Sequence, residues 1–361
     1  MRPTLARALR PGPLRCLMRA ILVSAPNATP NLVRVADPEP PPHGAVIEVR
    51  ATGVCRSDWH AWVGHDPTVS FPHVPGHEFA GVVRAVGRDV ARFAGGERVT
   101  APFCCGCGAC GECRAGHQNL CDREYQPGFD GWGSFAEYVM VPWADVNLVT
   151  LPERVAFAEA ASLGCRFMTA YAGIVHHAAV RPGETVVVYG CGGVGLSAVM
   201  IAAAMGAHVV AVDVLADKLA LARELGAALS VDATRDDPVE ATRAATDGGA
   251  HVSIDALGSG DTARQAMRSL RRRGRHLQLG LLLAGEASPA IALQDVTRRE
   301  LRVLGSHGMQ AWRYGELFDF VAARDLPLER MIGGRRPLAD AGAVLASMAA
   351  FAPVGVTLLE P

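Results

Sequence analysis

The amino-acid sequence predicts an α/β protein of two units, an irregular β-rich domain and a doubly wound parallel sheet. Three observations carry that prediction. The length, 361 residues, suits two domains that each bury a core of their own. Up to about Leu151 the chain reads as short β runs broken by Pro and Gly. From near Pro152 strand and helix patterns alternate, which implies parallel strands with helices on their faces.

The elements follow in order. Residues 1–17 hold Arg2, Arg7, Arg10 and Arg15, no acidic residue, and two prolines flanking Gly12. An import peptide has that composition, but no apolar h-region accompanies it, and Met18 runs straight into a strand. Residues 1–17 are therefore expected to be a disordered extension, or to precede the true start, with too little apolar surface to offset their ordering entropy. Strands are expected at Ala20–Val23, Ala45–Thr52, Phe79–Val86, Arg98–Ala101 and Phe135–Val141. A helix over Arg166–Ala179 leads to strand Thr185–Tyr189, helix Gly193–Met205, strand His208–Asp213 and helix Leu215–Leu225. Strands Leu229–Val231, His251–Asp255, Arg275–Leu279 and Arg302–Gly305 complete the sheet, and helix Ala311–Ala323 leads out. Helix Ala339–Ala350 and strand Val354–Leu359 then need a sheet to join, and the first domain is the natural host. The expected domains are 18–155 with 306–361, and 156–305. Arg271-Arg272-Arg273 sits where a helix should end before Gly274, as a solvated terminus that compensates the helix dipole or, alternatively, as a phosphate or partner site.

Composition narrows the function classes. Half the residues are hydrophobic (50%), 20% are charged and the formal net charge is -1, so no electrostatic footprint for nucleic acid or an anionic membrane exists. No apolar stretch reaches the ~20 residues that span a bilayer. The ten cysteines cluster with His and Glu, which points to metal binding in a reducing compartment, the cytoplasm, rather than to disulfides.

Cys107, Cys110, Cys113 and Cys121 follow the spacing C-x2-C-x2-C-x7-C, inside a lobe at 104–121. Zinc is the default occupant of four thiolates, and a site closed by four protein ligands leaves no position for substrate, so it is structural. Cys105 could compete with Cys107 through a Cys-x-Cys register. Cys55, His77 and Cys165 form a second, open Cys2His set of the kind that leaves a position for water or substrate. Glu78 could serve as a fourth ligand, Cys165 could instead be core, and Asp58 could accept the second ring hydrogen of His77. His65, His73 and the pair His176-His177 match no motif.

Gly190, Gly192 and Gly195 follow the strand Val186-Val187-Val188-Tyr189 and open a helix, the context in which such glycines bind a dinucleotide. Gly190 permits the tight turn, Gly192 lets the backbone approach a pyrophosphate, and Gly195 allows close packing, with Gly193 and Val194 between them at the helix N-terminus. Asp213 ends the next strand, 23 residues after Gly190, where a carboxylate accepts from the adenosine ribose and repels a 2′-phosphate; NAD is expected over NADP. The chain has 35 basic residues, of which one is a lysine, Lys218, and it lies five residues after Asp213, within reach of the same ribose.

Together these residues resemble the zinc-containing alcohol dehydrogenases of the medium-chain dehydrogenase/reductase superfamily. The resemblance runs from Met18 onward through Cys55-Arg56-Ser57-Asp58-Trp59-His60, Gly76-His77-Glu78, the four-cysteine lobe, Gly133-Ser134-Phe135-Ala136-Glu137-Tyr138, Leu163-Gly164-Cys165 and the glycine turn. It implies a GroES-like catalytic domain with a Rossmann coenzyme domain, two zinc ions per chain, a homodimer or homotetramer, and a small alcohol, aldehyde or ketone as substrate. It also implies catalytic zinc on Cys55, His77 and Cys165, Ser57 touching the substrate oxygen, His60 ending a proton relay, and Arg56 on the pyrophosphate. Such a relay asks His60 to titrate near physiological pH. Zinc would lower the pKa of the alcohol and hydride would pass to the nicotinamide.

Three rival readings are weaker. A non-catalytic zinc and nucleotide-binding protein would be marked by loss of Cys55, Ser57 or His77, all present. A nucleic-acid zinc module needs two separated cysteine pairs on a basic surface. A polyol or aldehyde dehydrogenase of the same superfamily is the nearest alternative, and Cys165 in place of a carboxylate favours the alcohol branch. Trp59, Trp62 and Phe103 could line an apolar pocket suited to aromatic or medium-chain alcohols, or belong to the core.

Overall fold

The computed structural model describes residues 17–282, 289–351 and 353–361. The expected N-terminal extension lies outside the described residues except for Leu17, which opens the strand Leu17–Leu22.

Two large sheets organise the chain. The first has seven strands, ordered Ile332–Pro337, Val356–Glu360, Ala45–Val54, Glu78–Val86, Arg98–Thr100 and Val149–Thr150, with Tyr138–Val141 also paired to Ala45–Val54. Alternation turns Ile47, Val49, Val83, Val99 and Val139 into one core with Phe79 and Cys105. The strand Ala45–Val54 slips register between Val46 and Ile47 and between Val49 and Ala51, which adds twist, and its end delivers Cys55. The C-terminal strand joins this sheet, with Leu358 opposite Gly53.

The second sheet has six parallel strands in the order Leu229–Asp232, His208–Asp213, Thr185–Tyr189, Ala250–Asp255, Leu270–Gln278 and Arg302–Gly305. The strand order reverses between Thr185–Tyr189 and Ala250–Asp255, and the crevice at the carboxyl ends of those strands is where a doubly wound sheet binds its ligand. Val186, Val187 and Val188 are fully buried, as β-branched residues covered on both faces should be. Helix Gly193–Ala204 is apolar nearly all round because it is buried on several sides. One core cluster takes Ala51, Ala80 and Leu358 from the first sheet and Val186, Val252 and Leu277 from the second.

Several expectations are corrected. The helix expected over Arg166–Ala179 begins earlier, at Phe157–Ser162, and passes through two widened π turns, Leu163–Phe167 and Ala172–His177. Gly164 departs from helical geometry inside the first of them (φ -57, ψ -136). Arg271, Arg272 and Arg273 do not end a helix: helix Gly260–Arg268 stops before them, and they lie in the strand Leu270–Gln278, where pairing with Ala250–Asp255 slips register and Arg273 takes φ 61. Their charges go to neighbours, Arg271 to His251 at 2.8 Å and Arg273 to Glu300 at 3.6 Å. Strand Asn31–Ala36, which forms a hairpin sheet with Leu17–Leu22, was not foreseen because it buries no residue fully and so shows no clean alternation.

Candidate active site

One carboxylate sets the first cluster. Asp58, on helix Arg56–Trp62, accepts from the Cys55 backbone amide through Oδ2 at 2.8 Å, and through Oδ1 from the Gly76 amide at 3.1 Å and His77 Nδ1 at 2.9 Å. Holding the ring by Nδ1 leaves His77 Nε2 free, and that atom is buried without a hydrogen-bond partner among the described residues. Gly76 makes the approach possible: its φ is 105, and a Cβ there would lie 2.5 Å from the Phe135 ring. Cys55, His77, Glu78 and Cys165 thus present ligand atoms within 4.8 Å of one another.

The electrostatics suit a cation. Hydrogen bonding from Cys165 holds the Cys55 thiol well below its ordinary value in spite of burial, with His77 and Arg166 acting the same way; the same contact pushes Cys165 up. Two sulfurs, one of them inclined to thiolate, beside an unpartnered imidazole nitrogen fit zinc. Glu78 belongs to the cluster but is already engaged. Arg166 donates to its Oε1 through Nε at 2.9 Å and through its backbone amide at 3.2 Å, and to Oε2 through Nη2. Burial raises Glu78 to about 7, and the Arg166 charge restrains the rise. Sequence reasoning missed Arg166. The available signal was a charge inside an apolar run, since such a charge must find a partner when buried.

Ser57 Oγ lies 3.6 Å from Cys55 Sγ, at the edge of the cluster. His60, three residues on, bonds Nδ1 to Nδ1 with His65 at 3.0 Å, and among the described residues Ser57 and His60 share no hydrogen bond. Burial, then the Arg56 and His65 charges, lower His60 to about 4, so it does not titrate near neutrality as expected. His65, unassigned in the sequence, is its partner. The aromatic wall also differs from expectation. Phe103 and Phe129 set their rings edge-on to His77 at 6.1 and 5.4 Å. Trp62 instead donates to the Ala28 carbonyl at 2.7 Å, and Trp59 packs in the core of the C-terminal segment.

In the lobe, the sulfurs of Cys107, Cys110, Cys113 and Cys121 all lie within 4.8 Å. Two of the separations are 4.0 Å (Cys107 to Cys113) and 3.7 Å (Cys110 to Cys121), close to the ~3.8 Å edge of a tetrahedron with Zn–S bonds of ~2.3 Å. Arg123, also missed, donates to Cys107 Sγ at 3.1 Å, and the amides of Ala109, Cys107, Cys113 and Arg123 point at sulfurs. Cys104 and Cys105 are not part of the set. Cys104 faces the Met309 carbonyl, and Cys105 sits in the core of the first sheet with its thiol toward the Pro102 carbonyl at 3.5 Å, so the competing register does not form.

At the glycine turn Gly190 takes φ 88, and a Cβ on Gly195 would lie 1.7 Å from the Gly190 carbonyl oxygen. A Cβ on Gly192 would meet nothing, which leaves an open cradle at the N-terminus of helix Gly193–Ala204, with Val194 in its first turn. Gly193 is constrained from behind, because its Cβ would lie 2.4 Å from Arg166 Cδ. Asp213 accepts from the Cys191 amide at 2.6 Å and from Val214 and Leu215 at 2.8 and 3.0 Å, which fixes its carboxylate beside the turn. Lys218 is 6% exposed and its ammonium lies 5.6 Å from the Phe351 ring. These residues fit a dinucleotide.

Comparison with known proteins adds family evidence. Residues 41–153 match the family described as alcohol dehydrogenase GroES-like domain, and residues 193–323 that described as zinc-binding dehydrogenase. An alcohol dehydrogenase of Rhizobium meliloti (strain 1021) is 42% identical over 247 residues, 68% of this chain and 71% of the relative. The alcohol dehydrogenase TADH from Thermus sp. ATN1 superposes with TM-score 0.87 at 29% identity, covering 95% of this chain and 99% of its own. A zinc-binding dehydrogenase from Sinorhizobium meliloti 1021, solved bound to NADP, gives TM-score 0.86 at 32% identity over 96% of this chain and 100% of its own.

Proposed function

We propose that this chain, which belongs to the zinc-containing alcohol dehydrogenases of the medium-chain dehydrogenase/reductase superfamily, moves hydride between a primary or secondary alcohol and NAD, giving an aldehyde or ketone. The observation that carries the reading is the meeting of Cys55, His77, Glu78 and Cys165 within 4.8 Å, beside a turn open enough for a dinucleotide. Zinc on Cys55, His77 and Cys165 supplies Lewis acidity toward an alcohol oxygen, and the nicotinamide supplies the hydride acceptor.

The protein's own groups do the rest. Asp58 fixes the His77 tautomer so that Nε2 faces the cluster. Ser57 Oγ, at the cluster edge and partly open to solvent, takes the hydroxyl proton as its own proton passes to water. Arg166 keeps the buried Glu78 charge compensated. Phe103 and Phe129 exclude water from the His77 side and favour apolar or aromatic alcohols. Arg56 meets the diphosphate, and Asp213 with Lys218 the adenosine ribose. The Asp213 carboxylate supports NAD, although one relative is solved with NADP. Cys107, Cys110, Cys113 and Cys121 hold a second, structural zinc.

We assign residues 18–155 with 306–361 to the catalytic domain and 156–305 to the coenzyme domain. The nine described cysteines are unpaired, which supports a reducing compartment, the cytoplasm. Among the described residues no helix is long and apolar enough to cross a membrane. Self-association as a dimer or tetramer is supported by the open edge strand Arg302–Gly305, with Val303 46% exposed, next to helix Leu293–Arg299, which buries none of its residues. Sedimentation that gives a monomer at every concentration would remove that part. The activity itself is tested by NAD reduction with zinc-replete protein against primary, secondary, aromatic and polyol alcohols. No turnover with any of them overturns the reading, and turnover confined to polyols moves it to the polyol branch.

A further inference from the structure

Phe351 belongs to no motif, yet it touches both cations assigned to the cofactor. The Arg56 guanidinium lies between two rings, 3.8 Å from the centre of Trp59 and 4.1 Å from that of Phe351, and its Nη1 donates to the Met348 carbonyl. The Lys218 ammonium lies 5.6 Å from the same Phe351 ring. Arg56 follows the end of a strand of the first sheet, and Lys218 stands on helix Ala216–Glu224 of the second unit. One ring therefore joins a positive charge from each side of the crevice, and the two charges are no more than about 10 Å apart.

Three further features say that this ring is not ordinary core. It is 44% exposed. It ends the turn Met348–Ala350 in the left-handed region, φ 54, which a bulky side chain rarely adopts and which the surrounding contacts must maintain. Its two cationic neighbours have no carboxylate partner: among the described residues neither Arg56 nor Lys218 makes an ion pair, although Lys218 is buried. Two cations fixed across a crevice without a carboxylate in ion-pair contact among the described residues suit an anion between them, and the chain's glycine turn and Asp213 put the dinucleotide there.

We propose that Phe351 is a cofactor-positioning residue. Its π face holds Arg56 and Lys218 in place ahead of the dinucleotide's diphosphate and adenosine ribose, so that little side-chain freedom remains to be lost when the cofactor arrives. This rests on the reading of Arg56 and Lys218 as cofactor contacts. It goes beyond that reading by naming the group that preorganises them. Restraint of two cations by one aromatic face corresponds to about a tenfold change in affinity.

The test is the dissociation constant of NADH, and of ADP-ribose, measured by fluorescence titration on zinc-replete protein. The variants are Phe351→Leu, Phe351→Tyr, Arg56→Gln and Lys218→Gln. Phe351→Leu, which keeps apolar bulk and removes the π face, should weaken both ligands about tenfold with zinc content and thermal midpoint unchanged, and Phe351→Tyr should bind like the parent. Wild-type or tighter binding by Phe351→Leu, or an equal loss in Phe351→Tyr, overturns the proposal. If Arg56→Gln and Lys218→Gln lose affinity in that case, the cofactor reading survives alone. If neither cation variant loses affinity, the assignment of the two cations fails, and the proposal with it.

Discussion

Arg166→Met tests the buried pair that links the cluster of Cys55, His77, Glu78 and Cys165 to the rest of the fold. Glu78 is fully buried and Arg166 is 5% exposed. The methionine keeps most of the aliphatic stem that packs against Gly193 but removes the Nε and Nη2 donors to Glu78 and the Nη1 donor to the Val54 carbonyl, 3.1 Å away. Among the described residues Glu78 then keeps one donor, the amide of residue 166. Removing one partner of a buried ion pair costs ~3–5 kcal/mol, a large part of a total stability of ~5–15 kcal/mol. With a urea slope on the order of ~3 kcal/mol per M, the unfolding midpoint of the zinc-replete protein should fall by roughly 1–1.7 M. Glu78→Gln should also be costly, since it strands the Arg166 charge. The double variant should be less damaged than the two losses combined, because neither charge is then left alone. Strict additivity, or a midpoint within ~0.3 M of the parent for Arg166→Met, refutes the claim that this pair carries the load assigned to it.

Four further outcomes are expected. Cys110→Ser should lower bound zinc from about two to about one per chain and reduce stability, because the lobe's metal contributes folding energy; a metal content unaffected by Cys110→Ser, Cys55→Ala or both counts against two separate sites. Asp213→Gly should relax discrimination against NADP by removing a repulsive carboxylate, and a parent enzyme that already prefers NADP rules the assignment out. His73 is buried, neither ring nitrogen has a partner among the described residues, and burial lowers it from 6.5 to about 4 against an opposing pull from the Asp58 charge. Its share of stability is complete above pH 6.5 and is lost as pH falls toward 4, up to ~3 kcal/mol; His73→Leu should flatten that part of the urea stability curve, and an unchanged acid sensitivity contradicts it. Ser57→Ala should cut kcat by ~10²–10⁴ with zinc and NAD binding intact, while His60→Gln should be milder and leave the rate profile between pH 6 and 8 unaltered in shape, since His60 sits near 4; full activity in Ser57→Ala shows that the proton leaves by another route.

Local pattern explains what was readable. The run Val186-Val187-Val188 with glycines behind it can be little else than a buried parallel strand feeding a dinucleotide turn, and the four lobe cysteines lie close enough in sequence for their spacing to state their geometry. Distance in sequence explains the rest. Glu78 and Arg166 are 88 residues apart, and nothing in either local pattern names the other. Phe129 reaches His77, and His65 reaches His60, through loop paths that carry no period. The Arg271-Arg272-Arg273 triplet misled because a basic run before glycine reads alike at a helix end and in a bulged strand. How Cys165 comes to lie beside Cys55 also turns on a backbone feature that no residue count reveals.

That feature is the widened turn Leu163–Phe167. In a regular α-helix, successive residues point about 100° apart, so Cys165 and Arg166 could not both face the cluster from one straight segment. The departure at Gly164 removes the conflict: Cys165 meets Cys55, and Arg166 brings both its amide and its guanidinium to Glu78. Glycine is required there, since a Cβ would lie 2.8 Å from the Glu78 Cβ. Widened turns of this kind forgo helical hydrogen bonds and persist mainly where function demands them. The same arginine stem lies behind Gly193, so the geometry that places Cys165 beside Cys55 and Glu78 also sets the space available at the glycine turn. A bulkier residue at position 164 or 193 should therefore disturb metal and cofactor binding together, even though these two glycines lie 29 residues apart in the chain.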